Sequence, residues 1–223
     1  MWEAMKRSAA RAATKVALLS LGIVLAGSAG AQRSSPHGEF SAAAGQQSAD
    51  PAPSGILADR PTWKRVTLGH HRSVHTLRAA LGAARMHVGD TADEILGRPT
   101  FSFSATQMPA DLVVVTLADL GFAREAPLAD IYRQAMQFGL QLCPAEVGPL
   151  LRLAYAEQPI GEFLRIAMQP ITTWRGTPVD LTVANGAEGL LLIGGESRDD
   201  LMLAPGTKLV FARPERMAQP DAR

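Results

Sequence analysis

The hydrophobic period of this chain changes along its length, and that change limits the folds open to it. Between Val74 and Met136 apolar residues recur mainly at helical spacing. From Glu162 to Phe211 they come in short, strand-like runs. One continuous β-branched run, Asp111-Leu112-Val113-Val114-Val115-Thr116-Leu117, sits among the helical segments. Such a run predicts a strand covered on both faces. The order of elements predicts a single α+β domain, with N-terminal helices and a mostly antiparallel C-terminal sheet.

The pattern places a first helix over about Val74–Met86, capped by Ser73, with Val74, Leu77, Leu81 and Ala84 as its apolar stripe. A short second helix follows over Thr91–Leu96, with Asp90 as cap and Gly97 and Pro99 as stops. Leu128, Ile131, Tyr132, Ala135 and Met136 define a third, started by Pro127 and stopped by Gly139. Pro144 to about Leu150 can open another short helix. In the last third, Glu162–Met168 reads as a strand. Val179–Val183 and Gly189–Ile193 flank Asn185-Gly186, a strong hairpin-turn signal, and Lys208–Phe211 makes a final strand.

The folded domain is expected over residues 60–213. Residues 1–31 read as an export signal. Lys6, Arg7, Arg11 and Lys15 precede the apolar run Val16–Ala26, and Ala29-Gly30-Ala31 makes an A-x-A cleavage site. That run falls short of the roughly 20 residues that a membrane span needs, so no transmembrane segment is expected after cleavage. Residues 32–58, rich in Ser, Ala, Gly, Gln and Pro, read as a disordered linker, and residues 214–223 as a flexible tail. Residues 1–31 hold four basic residues and one acid, so removing them takes the formal net charge from +1 to −2. That balance gives no electrostatic case for nucleic acid. Cys143 is the single cysteine, so no intramolecular disulfide is open to the chain. Burial is the expectation for its thiol.

The octapeptide Leu142-Cys143-Pro144-Ala145-Glu146-Val147-Gly148-Pro149 continues through Leu151-Arg152-Leu153, Tyr155, Gln158-Pro159 and Glu162. With Gly89-Asp90, Ile95-Leu96-Gly97 and Leu120-Gly121-Phe122 upstream, it resembles a family of uncharacterised bacterial domains over about residues 65–213. The resemblance implies a domain boundary and carries no activity. Relatives place an acidic, Gly-rich turn where this chain has Thr172-Thr173-Trp174-Arg175-Gly176, and their last strands are richer in aromatics.

Candidate catalytic residues are Cys143, Glu146 and Glu162. Cys143 gains nucleophilicity if Pro144 opens a helix just after it. Glu146 and Glu162 are candidates for a carboxylate pair of the kind that hydrolyses glycosides. Against these stand packing for Cys143 and ion pairing for Glu162 with Arg152 or Arg165. Gly195-Glu196-Ser197 lacks the closing Gly of a nucleophile elbow. His71 and His75 lie four apart, but Arg72 and Arg78 beside them repel a cation, so no metal site and no cofactor are expected. Trp174, Arg152 and Tyr155 are the candidate binding residues. Trp174 beside Arg175 suits protein recognition, although burial of its indole on the sheet is the stronger expectation. The sequence thus points to a periplasmic or secreted, non-catalytic binding module of the cell envelope, whose partner is an envelope protein or polymer. The alternative is a small hydrolase acting on an envelope polymer. N-terminal sequencing of mature material should return Gln32; recovery of Met1 would refute the export reading.

Overall fold

A computed structural model describes Leu57 and residues 60–214. The expected signal, the linker apart from Leu57, and the tail after Pro214 lie outside the described residues. The elements run β1 (Lys64–Leu68), α1 (Val74–Ala83), β2 (His87–Val88), α2 (Asp90–Leu96), β3 (Met108–Thr116), β4 (Ala126–Pro127), α3 (Leu128–Gln137) and α4 (Val147–Ala154). Then come β5 (Phe163–Ile166), β6 (Ile171–Thr172), β7 (Pro178–Gly186), β8 (Gly189–Glu196), β9 (Met202–Leu203) and β10 (Lys208–Ala212).

The fold is α+β, but its helices are not an N-terminal block. They interleave with β1 to β4, and α4 leads into β5. The main sheet is mixed, in the order β1-β3-β10-β5-β7-β8-β2, with β6 attached to β7. β10 lies antiparallel to β3 and parallel to β5, while β2 lies parallel to β8. β4 and β9 form a separate antiparallel pair. No helix among the described residues is long and apolar enough to cross a membrane.

Two cores lie on opposite faces of the sheet. Ala110 and Leu112 of β3 and Val210 of β10 face the first core, with Leu77 and Leu81 of α1, Ile95 of α2, and Val147 and Leu151 of α4. Val113 and Val115 of β3 and Leu209 and Phe211 of β10 face the second, under Leu128, Ile131 and Ala135 of α3. The β-branched run is therefore covered on both faces. Leu57 joins the second core, so packed structure begins before Arg60.

The sheet curls around α4, which packs against β1, β7, β8 and α1. Residues 147–152 of α4 are all buried. Gly148 permits that close approach. A Cβ placed there would lie 2.6 Å from Leu181 Cδ1 and 3.0 Å from Leu181 Cβ.

Ser73 caps α1, accepting from the Thr76 N–H at 3.2 Å. α1 stops at Ala83 rather than Met86 because Arg85 takes a left-handed φ of 56°. The Met86 N–H then closes back on the Leu81 carbonyl at 3.0 Å. In α2 the N-cap is Gly89, and Asp90 is the first helical residue, with no side-chain cap bond. In α3, Met136 departs from the expected stripe and is exposed. The β7–β8 hairpin forms, but Asn185 and Gly186 stay in the ladder, paired with Leu190 and Gly189. Its tip is Ala187-Glu188, and Gly189 supplies the left-handed residue at φ 87°.

Gly148→Ala should destabilise the domain by about 1–3 kcal/mol through overpacking against Leu181. Gly82→Ala, in α1 where an added Cβ meets nothing within 4 Å, should stabilise it by about 0.5–1 kcal/mol. Urea denaturation of both variants checks the pair.

Candidate functional site

The residues singled out in the sequence separate into those that build the interior and those that meet solvent. Cys143 belongs to the first group. Its thiol donates to the Val210 carbonyl at 3.5 Å, and burial pushes its pKa up. α4 starts at Val147, four residues later, so Cys143 is not at its N-terminus.

Glu146 is the N-cap residue of α4 and is buried. One carboxylate oxygen accepts the Gly69 N–H at 2.9 Å. The other accepts the Ser104 N–H at 2.8 Å and the Ser104 hydroxyl at 2.5 Å. A carboxylate so engaged staples two loops to the start of α4. At the other end of the helix, Arg152 is 0% exposed. It donates to the Gln158 Oε1 at 2.5 Å, to the Ala184 carbonyl at 2.9 Å, and to the Tyr155 carbonyl. Its Nε has no partner, and no carboxylate is bonded to it among the described residues. Burial lowers its pKa. Arg152 is thus an internal strut, buried away from any surface contact that its sequence context suggests.

Glu162 pairs with Lys208 at 2.7 Å, not with Arg152 or Arg165, and accepts the Tyr155 hydroxyl at 2.9 Å. Burial opposes its ionisation, but the bonds from Lys208 and Tyr155 outweigh that and hold its pKa below the usual range. Burial and the Glu162 bond push Tyr155 up to about 12. The Tyr155 ring is covered edge-on by Trp63 at 5.1 Å and by the Lys64 ammonium at 4.6 Å. Glu146 and Glu162 share no hydrogen-bond partner and engage opposite ends of α4, so they do not form a carboxylate pair.

Trp174 overturns the expectation that its indole folds onto the sheet, for it is 75% exposed. It sits in the turn between β6 and β7. The Thr173 N–H bonds the Thr177 carbonyl at 2.9 Å, the Thr177 N–H bonds the Thr173 hydroxyl at 3.1 Å, and Gly176 turns at φ 85°. The Trp174 N–H donates to Glu94 of α2 at 2.6 Å. The Arg98 guanidinium lies 3.8 Å from the indole centroid. Arg98 Nε and Nη1 are buried with no acceptor. A large aromatic is therefore held in a fixed pose, with one face on a cation.

Sequence reasoning missed a buried polar cluster between α3 and the sheet. Asp180 of β7 is 0% exposed and pairs with Arg165 of β5 at 2.7 Å. Arg165 also donates to the Glu196 carbonyl at 2.6 Å. Asp180 Oδ1, the Ser197 hydroxyl and the Tyr132 hydroxyl are buried with no protein partner. The available signal was an acid inside the apolar strand Val179-Asp180-Leu181-Thr182-Val183. Burial raises the Asp180 pKa to about 6, against the opposing pull of Arg165.

His70 and His71 stack edge-on at 4.9 Å. Among the described residues, no group of three or more His, Cys, Asp or Glu side chains is placed to hold a metal ion. A groove of about 770 Å³ is lined by Thr62, Arg65, Asp111, Gln141 and Arg213 among others. Arg65 and Asp111 close on each other there at 2.5 Å.

Asp180 makes stability fall as pH rises. Below its ordinary pKa of 3.8 the group is protonated folded or unfolded and contributes nothing. Between there and about 6 the unfolded chain ionises first, and the loss reaches roughly 3 kcal/mol once pH exceeds about 6. Asp180→Asn removes this slope, so its stability relative to wild type should improve by that order from pH 4 to pH 7. Parallel urea-denaturation results at the two pH values would contradict it.

No family model, no curated protein and no solved structure matches this chain.

Proposed function

We propose that this chain is an exported, non-catalytic binding module of the cell envelope, and that the Trp174 turn is its contact surface. The observation carrying the reading is the pose of Trp174: exposed, fixed in a hydrogen-bonded turn, and stacked on Arg98. A rigid aromatic beside a guanidinium loses little entropy on contact, and Trp and Arg supply much of the energy of protein interfaces. The groups that a hydrolase would need support the reading from the other side. The Cys143 thiol is buried, the Glu146 carboxylate holds two loops, and Glu162 is held by Lys208 and Tyr155. The partner is a protein or polymer of the envelope, and the domain is a member of the uncharacterised family that its Leu142–Pro149 segment resembles.

The full chain and its Trp174→Ala variant should be used in parallel to capture partners from envelope extract. The variant should lose the captured partner at least tenfold while keeping its stability within about 0.5 kcal/mol, as exposed substitutions do. Equal capture by the two proteins would move the contact elsewhere. Turnover of a cell-wall or peptide substrate by the wild type would overturn the non-catalytic reading.

A further inference from the structure

A second surface, separate from the Trp174 turn, lies along the free edge of the sheet. β1 ends the strand order and bonds only to β3 among the described residues. In an antiparallel pair, alternate residues of an edge strand direct their N–H and C=O groups away from the neighbour. Beside this edge runs a groove of about 450 Å³. One wall is strand, Arg65 to Thr67, and the other is helix, Leu150, Leu153 and Ala154 of α4. His70 and His71, which follow the C-terminal end of β1, also line it. An unpaired strand edge facing a helix across an apolar trough is the arrangement that accepts an added β-strand. The backbone supplies the hydrogen bonds, and the helix wall receives alternate side chains.

Charge selects the occupant. Residues 60–89 contain six Lys/Arg and four His and no Asp or Glu. Four of those cations pair with carboxylates from elsewhere in the chain: Arg60 with Asp119, Lys64 with Glu157, Arg65 with Asp111 and Arg78 with Asp93. Arg72 donates only to the Ala105 carbonyl and has no carboxylate partner among the described residues. Arg72 thus leaves a cation without a carboxylate partner just beyond the end of β1, with the His70 and His71 imidazoles beside it as hydrogen-bonding groups.

We propose that the groove between the free edge of β1 and α4 takes an extended acidic peptide of a partner protein, added to the sheet as a further strand. The peptide backbone pairs with the outward-facing groups of β1. Its apolar side chains rest on Leu150 and Leu153, and its carboxylates meet His70, His71 and Arg72. This site is independent of Trp174, and each can fail without the other.

The test is a titration of the ¹⁵N-labelled full chain with two capped pentapeptides, acetyl-Thr-Glu-Val-Glu-Thr-amide and acetyl-Thr-Lys-Val-Lys-Thr-amide. The Glu peptide should shift the amide resonances of residues 64–68 and 150–154 and slow hydrogen exchange at the outward-facing amides of β1. The Lys peptide should bind at least tenfold more weakly. Ala154 is exposed, so Ala154→Glu leaves the fold intact. By filling the trough with a like charge, it should weaken the Glu peptide at least tenfold. No shift along β1 at millimolar Glu peptide, equal binding of the Lys peptide, or shifts confined to residues 173–177 would each overturn the proposal.

Discussion

The burial of α4 with a charge at each end is the constraint on which the rest of the structure depends. An eight-residue helix is marginal by itself and exists through what it packs against. Glu146 precedes its first turn and Arg152 lies in its last, so each charge complements the nearer pole of the helix dipole. Neither charge meets a formal counterion among the described residues. Glu146 is held by amides and a hydroxyl of Gly69 and Ser104, and Arg152 by oxygens of Tyr155, Gln158 and Ala184. A buried charge left short of partners costs several kcal/mol. Five separate positions must therefore arrive together, and the loops around α4 are fixed as firmly as the helix.

This economy explains why the acids and the cation that drew attention in the sequence are not chemistry at the surface. Glu146 and Arg152 face inward, and Glu162 is closed off by Lys208 and Tyr155. What remains for contact with other molecules lies at the periphery: the β6–β7 turn, where Trp174 rides on Arg98, and the outer edge of β1. Both are built on rigid elements. The turn is braced to α2 through Glu94, and β1 is braced by Val66 and Leu68 in the core.

Local signals in the sequence suffice where local physics decides. The Ser73 cap, the Leu128–Gln137 helix, the two-sided strand and the β7–β8 hairpin all lie where their residues placed them. Failures came where distant partners decide. β1 was missed because Lys64-Arg65-Val66-Thr67-Leu68 offers the core only Val66 and Leu68. The hairpin tip moved past Asn185-Gly186 because the cross-strand register, with Val183 opposite Leu192, carries both pairs into the ladder. Helices and strands interleave through parallel junctions that leave no mark on local periodicity. Trp174 was legible as a candidate, but its exposure was not, since that depends on Arg98 and Glu94, both about eighty positions away. Asp180 was invisible as half of an ion pair, because Arg165 lies on another strand.

The position of β10 has a consequence for how the chain comes into being. Among the described residues, β10 is the one strand that joins β1–β3 to β5–β7–β8. A chain that still lacks residues 208–212 holds two half-sheets with raw edges and an α4 whose cradle is open. Closure of the sheet therefore waits for β10 and is a slow, long-range event. A chain built this way stays pliable until β10 arrives, and a truncation ahead of Lys208 would leave it without a join.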